Sequence, residues 1–243
     1  MIDRRNVLVG AAGLATAQAL GVSSVNAARA GSGYPYDYLL IEVPQGTGRG
    51  AGLEPFLAHL KGAGAAAVKA AGGELFGAFT PMIGWTSEQV AVMIRWPDAA
   101  LNREHAIDAI VRHPTVARVE RSALAATVRP GPTDRPLTRG IYTHRWFTIH
   151  GRDLDEFVAL SAEAWPDFER DFATRVFGLF RAEPSPAERR DGLLRMLLNT
   201  QYDSHAVWEA SRAPSPKAAG NFRRRGELTI TTRVVSLRFV PIG

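Results

Sequence analysis

A short motif occurs twice in this chain, and this internal repeat constrains the fold more than any other feature of the sequence. Leu75–Phe79 reads Leu-Phe-Gly-Ala-Phe, and Val176–Phe180, which lies 101 positions later, reads Val-Phe-Gly-Leu-Phe. Two further apolar positions correspond at the same spacing, Leu53 to Leu154 and Phe56 to Phe157. A match of this kind without a gap indicates two copies of one structural unit.

The first copy, residues 36–128, predicts the order β-α-β-β-α-β. Apolar residues recur at helical spacing in two stretches, and apolar runs bounded by turn residues predict four strands. The predicted strands are Tyr36–Val43, Glu74–Thr80, Gln89–Trp96 and Val116–Val128, and the predicted helices are Leu53–Ala71 and Ala99–Arg112, the second capped by Asp98.

The second copy, residues 137–243, repeats this order after a linker over residues 129–136, which contains Pro-Gly-Pro-Thr-Asp-Arg-Pro. The predicted strands are Ile141–Ile149, Arg175–Arg181, one strand within Gln201–Ser211, and Glu227–Val240, and the predicted helices are Leu154–Ala173 and Pro216–Arg225. Each copy is a ferredoxin-like unit, whose two helices cover one sheet face and leave the other to be buried. We therefore predict an α+β fold in which the tandem units pack their open sheet faces together as a barrel, with tryptophan bulk inside from Trp96, Trp146, Trp165 and Trp208.

Residues 1–30 have the layout of a signal peptide. The pair Arg4-Arg5 follows a polar residue and is followed, one position later, by two apolar residues, a pattern typical of the twin-arginine export route. The stretch is too polar for a membrane span, and small residues precede cleavage points after Ala27 or Ala30. We therefore expect a periplasmic or secreted protein with no stable membrane insertion after cleavage.

Composition excludes several classes of function. The chain has no Cys, which removes thiol nucleophiles, zinc ribbons, iron–sulfur clusters and disulfides. Without Asp3, Arg4, Arg5 and Arg29 of the signal peptide, 29 basic and 24 acidic residues become 26 and 23, a net charge of +3. The basic run Arg223–Arg225 suits a helix end, so no nucleic-acid partner is expected. Motifs for phosphate binding, serine hydrolases and zinc hydrolases are missing from the sequence.

The second copy resembles a known family. Its opening segment, Ile141–Gly151, reads Ile-Tyr-Thr-His-Arg-Trp-Phe-Thr-Ile-His-Gly and resembles the first strand of NIPSNAP proteins. The helix with Phe157 and Trp165, and the segment His205–Glu209, fit the same pattern over about the last 100 residues. The resemblance implies the dimeric α/β-barrel superfamily, here as an intramolecular barrel. Relatives include cofactor-free monooxygenases, haem-handling enzymes and small-molecule isomerases, whereas NIPSNAP proteins have no settled activity.

The predicted strand from Ile141 places three candidate ligand-binding residues on one side, Tyr142, His144 and Trp146, together with His150. His144, where NIPSNAP proteins commonly have an apolar residue, is the candidate acid, base or haem ligand; a structural, hydrogen-bonded histidine is the favoured alternative.

Three further residues complete the predicted ligand-binding set. Arg145 can anchor an anion, although an ion pair with Glu156, Glu163 or Asp167 is favoured. Tyr202 and Trp208 are expected on one strand face lining the cavity. His205 and Glu209 are expected on the other face, about 13 Å apart, so no metal site is predicted.

These observations predict an exported NIPSNAP-like protein that binds a small apolar or aromatic molecule in the cavity between its two copies. Three alternatives remain open: a cofactor-independent monooxygenase or isomerase, a carrier of haem or another small ligand, and a protein-interaction module. No cofactor is expected except haem in the carrier alternative, and assembly into a homodimer is left open.

Overall fold

The computed structural model describes residues 35–44, 52–97 and 102–242. The predicted signal peptide, residues 1–30, and the helix cap Asp98 lie outside these residues. Within the described part of the chain no helix is long and apolar enough to cross a membrane.

In its described residues, the first half contains four strands, one helix interrupted by a π-helical turn, and one further helix. The strands are β1 (Tyr36–Glu42), β2 (Glu74–Ile83), β3 (Gln89–Arg95) and β4 (Arg118–Ala126). The helices are α1 (Leu53–His59), which continues through a π-helical turn (Leu60–Gly64) into α2 (Ala65–Ala70), and α3 (Arg103–Val111).

The second half contains four strands and four helices. The strands are β5 (Ile141–His150), β6 (Thr174–Ala182), β7 (Leu193–Tyr202) and β8 (Thr229–Pro241). The helices are α4 (Leu154–Asp171), preceded by a 3-10 turn (Gly151–Asp153), α5 (Pro186–Arg190), α6 (His205–Ala210) and α7 (Pro216–Glu227).

All eight strands form one closed antiparallel barrel in the order β1-β3-β2-β8-β5-β7-β6-β4. Within each half the first strand lies between the third and the fourth, and the barrel closes through pairing of β2 with β8 and of β4 with β6. In the repeated motif the register of both halves shifts at the glycine, at Gly77 in β2 and at Gly178 in β6. Closure removes the free sheet edges that an open sheet would expose.

Three large apolar clusters stabilise the barrel, and a fourth, smaller one contains Ile141, Phe168 and Tyr202. One lies between the first sheet and helices α1 to α3 and includes Phe56, and a second lies under α4 and includes Phe157. The third fills the barrel interior with tyrosine and phenylalanine, including Phe79 and Phe180, which are fully buried. Both faces of the strands are therefore covered, which explains why long apolar runs replace alternation in several of them.

The predicted position of the third strand of the second half is wrong. The strand expected within Gln201–Ser211 ends at Tyr202, and the next residues form α6, whose first turn is capped by the Ser204 hydroxyl accepting the Val207 N–H. The strand instead begins at Leu193, in an apolar run whose burial on both faces hides the period of two.

The expected tryptophan filling is also wrong for three of the four residues. Trp146 packs against the interior cluster, but the others lie outside the barrel wall. Trp96 is in the first-half helix cluster, Trp165 is on the buried face of α4, and Trp208 lies beside Phe168 and Tyr202.

Candidate functional site

A chain of three polar side chains crosses the centre of the apolar barrel interior. The Tyr38 hydroxyl lies 2.9 Å from His144 Nδ1, and His144 Nε2 lies 3.0 Å from Asn199 Nδ2. Tyr38, His144 and Asn199 are buried, with 2%, 0% and 0% of their surface exposed. Because unpaired polar groups are costly at such a position, these hydrogen bonds lock the three side chains together.

The register of the barrel explains why these residues meet. Tyr38 on β1 faces Met93 on β3, and His144 on β5 faces Asn199 on β7. The two residues of the second half stand 106 positions after those of the first half, so equivalent positions of the two halves converge at one point. Asn199 Nδ2 completes the contact at 3.7 Å from the Met93 sulfur.

The hydrogen bonds that join Asn199, His144 and Tyr38 all run in one direction, so Tyr38 is the donor at the end of the series. The Asn199 amide donates to Nε2, so the ring hydrogen of His144 is on Nδ1 and donates to the Tyr38 oxygen. Burial lowers the pKa of His144 to about 3 and raises the pKa of Tyr38 well above 10, so both groups are neutral near pH 7. The Tyr38 O–H is then left to donate to a further acceptor.

A cavity of about 330 Å³ reaches this chain from one end of the barrel. Its wall contains Tyr38, His144, Trp85 and Trp146, with Arg195 and polar residues around them. The Tyr38 and Trp146 rings meet edge to face at 5.5 Å, and the Arg195 guanidinium lies 5.3 Å from the Trp146 ring. The site therefore combines flat aromatic walls with a hydrogen-bond donor at its inner end.

The structure divides the six predicted ligand-binding residues between two places. Tyr142, His144 and Trp146 point into the barrel, but Tyr142 packs against Phe79 and donates its hydroxyl hydrogen to the Leu137 carbonyl, 2.9 Å away, outside the cavity wall. The other three, Arg145, Tyr202 and Trp208, line a separate cavity of about 520 Å³ on the outer face of the second sheet.

The ion pair favoured for Arg145 is not formed among the described residues. Glu156 pairs with Arg224, Asp167 pairs with Arg170 and Lys217, and Glu163 accepts a hydrogen bond from Asn221. Arg145 instead lies 5.9 Å from the Phe147 ring. Its guanidinium is therefore without a carboxylate in the part of the chain that the structure describes.

His205 and Glu209 share helix α6, where a spacing of four residues places side chains on one face. The Nε2 atom of His205 lies 2.8 Å from the Ser236 hydroxyl. Over residues 35–44, 52–97 and 102–242 no group of three His, Asp or Glu side chains could hold a metal ion.

The hydrogen bonds of His144 in the barrel cavity do not fit a role as a haem ligand. A haem iron takes a lone pair from a histidine nitrogen. His144 Nδ1 carries the hydrogen that bonds to Tyr38, and Nε2 accepts from Asn199. Neither nitrogen is free for iron in this arrangement.

Sequence reasoning missed Tyr38 and Asn199. One signal was present for Asn199, because it is the first uncharged polar residue after the apolar run that starts at Leu193. Tyr38 carries no comparable signal, since an aromatic residue in a strand is ordinary core material.

Comparison with known proteins places the fold but not the family. No family model matches the chain, and no curated protein matches it. Among solved structures, an anthrone oxidase-like protein superposes with a TM-score of 0.54 at 13% identity, covering 84% of this chain and 91% of its own. A provisionally assigned monooxygenase from Lactobacillus acidophilus NCFM gives a TM-score of 0.53 at 8% identity, covering 86% and 97%.

A mutant chlorite dismutase from Candidatus Nitrospira defluvii gives a TM-score of 0.53 at 5% identity, covering 86% of this chain and 92% of its own. At these identities the likeness shows the fold alone. The chain shares the fold of these structures, and its closed eight-stranded antiparallel barrel confirms the predicted α+β barrel.

Proposed function

We propose that this protein binds a small aromatic molecule carrying an acceptor oxygen, such as a phenol, quinone or cyclic ketone, in the barrel cavity. The proposal rests on one observation. The cavity of about 330 Å³ is lined by Tyr38 and His144, which belong to the buried hydrogen-bonded series Tyr38–His144–Asn199. Trp85 and Trp146 offer aromatic faces for the ring of the ligand, and Tyr38 donates to its oxygen.

A second candidate function is cofactor-independent enzymatic chemistry through an enolate or phenolate. The observation that favours it is the direction of the chain, in which Asn199 donates to His144 and His144 donates to Tyr38. Hydrogen bonds in series strengthen one another, and a preorganised donor in a site shielded from water stabilises developing negative charge on oxygen. Tyr38 would contact the reacting oxygen, and His144 would position and polarise Tyr38 instead of removing a proton itself.

The binding experiment uses the purified protein with 1-naphthol and 1,4-naphthoquinone as probes and tryptophan fluorescence as the signal. Tyr38→Phe keeps the ring and removes the donor, so affinity falls by about tenfold, the effect of about 1.4 kcal/mol. Tyr142→Phe is the matched control, because this buried tyrosine lies outside the cavity wall. Absence of saturable binding, or equal losses in the two variants, contradicts the proposal.

The haem-carrier alternative makes an opposite prediction for the absorption spectrum. The proposed cofactor-free site gives a protein purified from its own host with no Soret band. A Soret band would contradict the proposal of a cofactor-free cavity.

The finer aspects of identity are proposals of the same kind. The equal strand orders of the two halves and the shared glycine bulges support a tandem pair of ferredoxin-like units, and the segment from Ile141 supports NIPSNAP kinship. Twin-arginine export is tested by the mass of the protein from the host periplasm, which is expected to start after Ala27 or Ala30. Native mass spectrometry of the same sample distinguishes monomer from homodimer.

A further inference from the structure

The cavity on the outer face of the second sheet carries an unbalanced positive charge. It has a volume of about 520 Å³ and lies between the sheet and helices α4, α6 and α7. Among the described residues, its lining contains neither Asp nor Glu but four arginines, Arg145, Arg212, Arg223 and Arg225. No carboxylate of the described residues forms an ion pair with any of the four.

Arg225 is the deepest of these cations. It is 7% exposed, and within the described ranges its guanidinium donates one hydrogen bond, to the Ser161 hydroxyl at 3.3 Å. The guanidinium lies 4.9 Å from the Phe222 ring and 5.1 Å from the Phe147 ring. Burial and the nearby charge of Arg145 lower the pKa of Arg225 to about 10, which still leaves it charged near pH 7. A buried charge of this kind is ordinarily paired, because leaving water costs several kcal/mol.

The equivalent face of the first half has a buried carboxylate that the second half lacks at the matching position. There Asp37 is fully buried and forms ion pairs with Arg103 and Arg121 at 2.8 and 2.7 Å. The residue 106 positions later, at the equivalent place in the strand pairing, is Thr143. The second half thus keeps cations under its helices but has a neutral hydroxyl where the first half has a carboxylate.

The other residues that line this cavity indicate which further groups a ligand would carry. Aromatic walls come from Trp165, Phe168, Trp208 and Phe222, and hydroxyls come from Thr143, Thr200, Tyr202 and Ser211. Arginine presents parallel N–H donors that match the two oxygens of a carboxylate. We propose that this pocket is a second ligand site, distinct from the barrel cavity, that binds an aromatic carboxylate with its charged group at Arg145 and Arg225.

The test compares two probes that differ in charge, 2-naphthoate and the neutral 2-naphthylmethanol, by isothermal titration calorimetry on the full protein. The carboxylate binds at least about tenfold more tightly than the alcohol, and Arg225→Met and Arg145→Met each remove about that preference. Arg224→Met is the matched control, since Arg224 is the adjacent residue but pairs with Glu156 outside the pocket.

Two further measurements keep the result unambiguous. Tyr38→Phe leaves the preference for 2-naphthoate over 2-naphthylmethanol unchanged, because the arginines of the outer pocket produce it and the barrel cavity is separate. Failure of one proposal therefore does not imply failure of the other. Thermal unfolding without ligand checks that both Met variants fold. If Arg225→Met does not fold, Arg145→Met alone tests the proposal. Equal binding of the two probes, equal losses in Arg224→Met, or a Soret band that Arg225→Met abolishes would each overturn the proposal.

Discussion

Acid sensitivity of folding depends strongly on the single buried histidine of the barrel. In the folded protein burial holds the pKa of His144 at about 3, against 6.5 for a solvated imidazole. The unfolded chain therefore binds a proton near pH 5 that the folded chain excludes. By linkage, the free energy of unfolding falls as the pH drops from about 6.5 toward about 3. The difference corresponds to about 5 kcal/mol in total, or about 1.4 kcal/mol per pH unit in the middle of this range.

The experiment compares urea unfolding of the wild-type protein and of His144→Gln between about pH 7 and about pH 4. Gln retains a polar group at this position but does not titrate, so the variant loses this part of the slope whatever its stability at pH 7. Carboxylates contribute equally to both proteins and cancel in the difference. His150→Gln is the control, because that residue lies at the end of the same strand and is partly exposed. Parallel curves for wild type and His144→Gln would refute the argument that a neutral, desolvated His144 exists in the folded state.

Two stability predictions concern the framework of the barrel. Asp37→Asn leaves Arg103 and Arg121 near a neutral amide under the first-half helices. We therefore expect the free energy of unfolding in chemical denaturation to fall by about 3–5 kcal/mol. A fall below about 1 kcal/mol would show that these ion pairs are not desolvated. Gly77→Ala places a methyl group 2.6 Å from the Val240 carbonyl oxygen at a φ of +147°, so the β2–β8 closure is strained and the thermal midpoint falls by several degrees or more. An unchanged midpoint would show that the bulge relaxes freely.

Much of the fold could be predicted because its signals are local. The repeated Leu-Phe-Gly-Ala-Phe motif aligns two segments that both carry a register shift at the glycine, and Phe56 and Phe157, matched at the same spacing, are both fully buried. Helix periodicity placed α4 within two residues of its observed end. The prediction failed at β7, because a strand covered on both faces has no alternating pattern and its polar end resembles the start of another element.

The candidate sites were less accessible to sequence reasoning. His144 was singled out from the sequence and lies buried in the barrel, but its partners Tyr38 and Asn199 lie 106 and 55 positions away in the chain. Arg145 was expected to pair with a carboxylate of the covering helix, yet those carboxylates turn to other cations. Which carboxylate forms an ion pair with which cation depends on the orientation of the helices, and no local sequence pattern encodes that orientation.

The sequence by itself therefore determined the number of strands, the order of elements in the first half and the residues that share one face of β5, since these follow from the spacing of apolar residues along the chain. Only the tertiary structure decided that Tyr38 and Asn199 would hold His144, and that Arg145 and Arg225 would share a pocket without an acid. Both outcomes arise from closure of the barrel and docking of α7, which bring together residues that are far apart in sequence.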